Sequence, residues 1–361
     1  MMRLFMEAED VLLFRDGRPF NAGSDHQARS LFPPSPSVMQ GVIRSHYLLI
    51  KNIPLSNRGA IKELVGDTED YKALRLRGPW LARQTGDGRV VRYFPTPTDA
   101  YPADENAERI LPMKVVRNPG GNVWAGELPY LLEKPNEIIT KNAPGAFVSE
   151  EDLMSYLEKG VSVRTEKADA LYVSEVRLGI QTDSRRRSTV EGMLYEVEFI
   201  RPQAGTGLYL EMDGYPDFPK EGLLRAGGEG RALHYKTLRD SQISPIRWGY
   251  SEELPRFFKV YFATPAYFSQ GWKPDSWTKF FTREVRLEAV ALSRYQVLGG
   301  FDYWNHKQKP SRRLVPAGSV YYFSHSGGAR LRQDLVQQAI TEWGAEIGFG
   351  QVLVAGWKPV E

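Results

Sequence analysis

Between Phe14 and Ile50 the chain reads FRDGRPFNAGSDHQARSLFPPSPSVMQGVIRSHYLLI, which places Asp16, Asp25 and His26 in one polar loop. An imidazole beside two carboxylates is material for acid–base work or for a metal centre. A metal centre needs several ligands brought together, and the other histidines (His46, His234, His306 and His325) stand in no HxxxH or comparable spacing. Metal-free RNA cleavage by His26 with a neighbouring cation stays open. So does a plain structural role, with Asp16 closing a turn at Gly17 and His26 donating to backbone or phosphate. The same stretch carries Arg15, Arg18, Arg29 and Ser30, with Arg44 further along, a set of donors suited to gripping phosphates. Ser35 and Ser37 add amide donors at the start of an expected helix, where the dipole is positive.

Other candidate contacts are spread along the chain. Arg185, Arg186 and Arg187 sit between two strand-like runs, and other basic stretches are RLRGPW from Arg75 and HKQKPSRRL from His306. The bland reading of each is a solvated loop. In RAGGEGR, Gly227 and Gly228 lie between Arg225 and Arg231 without the strand and helix of a phosphate-cradling unit. They suit a tight hairpin, or a close backbone approach to a phosphodiester chain. Near the end, GAEIGFGQ places Phe349 between Gly348 and Gly350, a loop with an aromatic available for stacking. No serine elbow, Walker pattern or dinucleotide fingerprint occurs.

The composition sets bounds on these readings. With 361 residues, two domains are expected; 42% hydrophobic and 25% charged residues describe a globular chain able to bury a core. A net charge of +3 argues against a uniformly basic nucleic-acid binder, so any such role belongs to local patches. Without cysteine there are no disulfides, cysteine zinc sites or thiol catalysis. No run is long and apolar enough for a membrane span, and acids at Glu7, Glu9 and Asp10 interrupt any signal-like start, so the expectation is a cytoplasmic protein without a membrane partner.

The elements that must position these residues follow from periodicity. Residues 3–14 read as a strand entering a core. Ser35 as N-cap and Pro36 at the first helical position start a helix on which Val38, Met39, Val42, Ile43, Tyr47 and Ile50 recur, and Pro33, Pro34 and Pro36 stiffen the approach to it. Residues 78–148 are rich in Pro, Gly and Tyr and read as an insertion or projecting hairpin, with a turn at Gly86-Asp87-Gly88. VSEEDLMSYLEKG is a short helix capped by Ser149; ALYVSEVRLGIQ and GMLYEVEFI are strands. After a linker-like stretch near residue 250 come strand FFKVYFA, short helix PDSWTKFF, strands REVRLEAVALSR and GSVYYFS, amphipathic helix ARLRQDLVQQAITEW and strand QVLVAGW. That order, βαββαβ, is the ferredoxin-like pattern also underlying the RNA recognition module. The N-terminal half opens the same way. The expected fold class is therefore α+β with two ferredoxin-like domains, 1–250 with its insertion and 251–361.

The opening DVLLFRDGRPFNAGSDHQARSLFPPSPSVMQGVIRS resembles the N-terminal signature of subunit three of the Cmr complex, the type III-B CRISPR effector. IGFGQVLVAGW is similar to the C-terminal loop of the wider repeat-associated mysterious protein (RAMP) superfamily; SEVRLGIQTDSRRRSTVEGMLYEVEFIRP and LLRAGGEGRALHY resemble that family's central segments. The resemblance covers both halves of the chain and matches no pattern over residues 78–148. It implies a noncatalytic RNA-binding subunit in antiviral defence that takes no cofactor or metal. Such a subunit holds the 5′ repeat-derived tag of the CRISPR RNA and contacts the large polymerase-like subunit and the first backbone subunit. Relatives that mature CRISPR RNA cleave through a histidine, so the alternative is a metal-independent endoribonuclease using His26.

Overall fold

The structure, a computed structural model, describes residues 1–15, 27–119, 128–134, 145–183, 188–250, 252–302 and 305–359. Among the expected site residues, Arg18, His26, Arg185, Arg186 and Arg187 lie outside these, as do Asp16 and Asp25. Among the described residues the regular elements are mostly strands, with three α-helices. It divides into two compact units that are not successive halves: residues 1–86, 169–239 and 297–312 form the first, and 87–168, 240–296 and 313–361 the second. Among the described residues no helix is long and apolar enough to cross a membrane.

In the first unit, β1 (Met2–Ala8) leads through α1 (Pro36–Ile50) and α2 (Arg58–Val65) to β2 (Arg75–Gln84). A long hairpin of β3 (Tyr172–Asp183) and β4 (Ser188–Pro202) follows, then β5 (Thr206–Asp213), β6 (Glu221–Arg225) and β7 (Ala232–Thr237). β1 pairs antiparallel with both β5 and β7, and β5 with β2, so Phe5 lies between Tyr209 and Lys236. The order is β6-β7-β1-β5-β2. Leu4, Phe5 and Met6 are wholly buried. α1 turns Met39, Ile43 and Tyr47 inward, and Tyr47 stacks on Tyr215 with ring centroids 3.9 Å apart. The helix starts where Ser35 and Pro36 place it, and Asn52, at φ 52°, ends it in the left-handed conformation that asparagine tolerates. The apolar run Val11–Phe14 is buried but irregular, held by the Leu12–Ile200 bridge, and Val11 and Leu13 pack with Ala28, Val197 and Phe199.

In the second unit, β8 (Phe257–Phe262) pairs antiparallel with β10 (Val320–Ser324) and β11 (Val352–Gly356), and β10 with β9 (Arg286–Ala291). The order is β9-β10-β8-β11. One face carries Phe258, Val260 and Phe262 into an aromatic core with Phe281 and Phe323. On the other, Tyr261 donates to the Pro95 carbonyl at 2.6 Å, and the Lys259 ammonium lies 5.5 Å from the ring of Tyr156 on α3 (Glu150–Lys159). Buried Asp99 there accepts the hydroxyls of Tyr156, at 2.8 Å, and Tyr322. Both faces are thus covered, and burial pushes the Lys259 ammonium down while Asp99 opposes the shift.

α3 forms as its sequence dictates: Ser149 Oγ accepts the Asp152 amide at 3.2 Å, three acids occupy the first turn, and Gly160 closes the helix at φ 64°. The two helices expected beyond residue 250 do not form. PDSWTKFF contains one 3₁₀ turn, Trp277–Lys279. ARLRQDLVQQAITEW is irregular, with a 3₁₀ turn at Val336–Gln338 and φ near 55° at Gln337 and Gln338. Distant backbone claims its hydrogen bonds: Arg332 N–H donates to Phe280, Ile340 to Gly350, Glu342 to Tyr267, and the Ala329 and Arg330 carbonyls accept from Leu254 and Thr282. Ala329, Leu331 and Ile340 still reach the core. Apolar spacing satisfied burial without a helix, because tertiary pairing overrode the local helix propensity.

Candidate functional site

The N-terminus of α1 opens on a cleft of about 510 Å³ lying wholly in the first unit. One wall is the approach to the helix and its first turns: Phe14, Arg15, Ser35, Ser37, Gln40 and Gly41. The other wall is formed by Val297, Gly299, Gly300 and Phe301 together with Gln308 and Lys309. The Lys309 amide donates to the Gly300 carbonyl at 2.8 Å and ties that wall together.

Among the described residues three features favour an anion in the cleft. The first turn of α1 holds no acidic residue, unlike that of α3, so its dipole is not offset by its own side chains. Pro36 has no N–H, and the Ser37 amide falls outside the i to i−4 ladder, as helix geometry requires of first-turn donors. Lys309 and Arg15 supply charge. Burial pushes the Lys309 ammonium below its usual value; Asp302 opposes this, while Arg44 and Arg312 add to it, so three cations share this region. Ser35 takes the N-cap position, but its hydroxyl accepts no helix amide, and its buried Oγ has no hydrogen-bond partner among the described residues.

The structure distributes the remaining candidates differently. Arg15 and Ser30 bridge through their backbones, but Ser30 Oγ donates to the Glu198 carbonyl at 2.7 Å and accepts the Phe14 amide, so this serine fastens the loop to β4. Arg29 is exposed in a separate recess of about 300 Å³ beside Glu196 and Glu198, an acidic setting that disfavours phosphate. Arg44 is half-buried, donates to Gln40 Oε1 at 3.0 Å and lies over the Tyr71 ring; burial pushes its guanidinium down. Arg231 pairs with Asp10 at 3.0 Å and covers Phe199, in a network that includes Arg201, Glu175 and Arg177.

The glycine pairs serve the chain's own packing. A side chain at Gly227 would meet the Leu13 carbonyl at 2.4 Å, and the Gly228 amide donates to that carbonyl at 2.8 Å. The expectation that Phe349 is available for stacking is corrected: it is fully buried against Trp343, centroids 4.9 Å apart. Gly348, at φ 104°, presents its carbonyl to Thr264 Oγ1 at 2.7 Å, and a side chain at Gly350 would meet the Ile340 carbonyl at 2.6 Å. This loop plugs the core of the second unit. The wall formed by residues 297–301, Gln308 and Lys309 was missed in sequence because VLGGF carries no charge and HKQKPSRRL reads as a solvated loop. Paired glycines beside Phe301 were its one local signal. Among the described residues no group of three or more His, Asp or Glu could hold a metal ion.

The family model described as CRISPR-associated protein (Cas_Cmr3) matches residues 4–357. A search of curated proteins found no match. Similar solved structures include a chain of the type III-B Cmr-beta complex bound to cognate target RNA, 16% identical with a TM-score of 0.48, covering 89% of this chain and 86% of that one. A chain of the Csm3-Csm4 subcomplex in the type III-A CRISPR-Cas interference complex is 10% identical with a TM-score of 0.39, covering 99% and 100%. A chain of the Csm1-Csm4 cassette in complex with AMPPNP is 12% identical with a TM-score of 0.38, covering 100% and 98%.

Proposed function

The chain belongs to the CRISPR-associated Cas_Cmr3 family, and from that premise we propose that it is the noncatalytic RNA-holding subunit of a cytoplasmic type III-B Cmr ribonucleoprotein. In this reading it grips the 5′ repeat-derived tag of the CRISPR RNA and bridges the large polymerase-like subunit to the backbone. The observation that carries the reading is the cleft at the start of α1, where Arg15, Lys309 and helix amides face one space. Single-stranded RNA is held by cations and amides on phosphates together with surfaces for unstacked bases, and the cleft supplies both. The order β7-β1-β5-β2 in one unit and β11-β8-β10-β9 in the other is, in each, fourth, first, third, second. That supports reading both units as ferredoxin-like halves in which turns replace some of the helices.

The test is tag-RNA binding by the complex assembled with both neighbouring subunits, measured across a salt series. Affinity should fall with salt, and Arg15→Ala should shallow the log–log slope by about 0.7 and weaken binding by about 1 kcal/mol or more. Arg29→Ala, removing a cation flanked by glutamates, should do less. Salt-independent affinity, or none in the assembled complex, refutes the proposal. His26 is tested separately, by incubating repeat RNA with the protein in chelator. Intact RNA supports the noncatalytic reading, and cleavage that disappears in His26→Ala overturns it.

A further inference from the structure

Gly41 sits in the sixth position of a fifteen-residue helix, where glycine is among the poorest formers. Its backbone φ is not in the left-handed region, and a Cβ built there meets nothing within 4 Å. Neither conformation nor packing within the protein calls for glycine, yet Gly41 lines the cleft. The opposite wall is also bare backbone at Gly299 and Gly300, although Gly300, at φ 155°, has a conformation that itself favours glycine, and the pair is flanked by Val297 and Phe301, each 50% exposed. With bare backbone on both walls, the cleft can serve as a slot for a flat group, and its lining adds the exposed apolar side chains of Val297 and Phe301 and the cations Arg15 and Lys309. The volume of about 510 Å³ falls in the range of pockets for drug-sized ligands.

We propose that this cleft seats one unstacked nucleotide of a single-stranded RNA, its base over Gly41 and the Gly299–Gly300 wall beside Phe301, its phosphate between Lys309, Arg15 and the Ser37 amide. The inference rests on the RNA-holding reading above and adds a register to it. One nucleotide of the bound strand is singled out by its base, and the others are held by their phosphates. Residues 297–301 with Gln308 and Lys309 thereby become part of the binding surface, although HKQKPSRRL suggests only a solvated loop.

The test uses the full chain in its assembled complex and tag RNAs carrying an abasic nucleotide at each position in turn. In the wild type, one position should lose affinity about fivefold or more on removal of its base. Gly41→Leu fills the slot and Phe301→Ser strips its exposed rim, so both should erase that penalty. Gly41→Leu should melt at or above the wild-type temperature, separating a filled slot from a damaged fold, and Gly41→Ala gives the same contrast with a single methyl group. A penalty spread evenly over all positions, or one that persists in Gly41→Leu with melting preserved, overturns the seat and leaves RNA holding intact. Failure of the wild type to bind any tag RNA overturns both.

Discussion

Arg92 and Glu150 form an ion pair in the second unit, Nε to Oε2 2.6 Å, with side chains 1% and 9% exposed. Arg92 also donates to the Ser244 carbonyl, so this guanidinium joins the strand at Val90–Pro95, the first residue of α3 and the segment after residue 240. Charge centres about 4 Å apart attract by about 4 kcal/mol at an effective dielectric of about 20, against a desolvation cost of several kcal/mol per ion. The pair therefore contributes little net stability over a well-packed apolar pair, while either charge left alone is costly. Arg92→Met and Glu150→Leu should each destabilise by about 3–5 kcal/mol in urea unfolding, and the double variant should cost far less than their sum. Single costs below about 1 kcal/mol, or additive costs, would refute the reasoning, since they would mean that water reaches the pair or that other groups already satisfy each charge.

Two further outcomes are expected. Burial pushes His46 below its ordinary 6.5, where its ring meets Phe218 and Tyr235 edge-on at 5.3 and 5.8 Å. A depressed histidine favours folding only while neutral, so stability is fully present above pH 6.5 and is lost as pH falls through the folded value; melting temperature followed downward from neutral pH should fall less in His46→Gln, and parallel profiles would show that this ring does not contribute. Phe349→Ala should cost about 3–5 kcal/mol in urea unfolding as a core deletion, while tag-RNA affinity measured below the unfolding transition stays at the wild-type value; an unchanged stability with weakened RNA binding would restore this aromatic as a stacking platform.

How much could be read from sequence depended on the range of the forces involved. Where a few adjacent residues decide the outcome, the sequence by itself determined the structure: Ser35-Pro36 begins α1, Ser149 and its three acids begin α3 with Gly160 closing it, and the apolar runs at Phe257 and Val320 became strands. It also marked the approach to α1 as a place of cations and helix amides, and Arg15, Ser35 and Ser37 do line one cleft. Only the tertiary structure decided the rest. The segment from Ala329 to Trp343 has a helix's apolar spacing, but its amides and carbonyls are taken by backbone from Leu254, Tyr267, Phe280, Thr282 and Gly350. Phe349 looks like an exposed ring between glycines, but those glycines let the loop fold inward around it. Residues 297–301 with Gln308 and Lys309 stand opposite the start of α1, which they meet only through long-range folding. Caps and turns act over three or four neighbouring residues, whereas burial is settled by whichever distant surface a segment meets, and no local pattern names that surface.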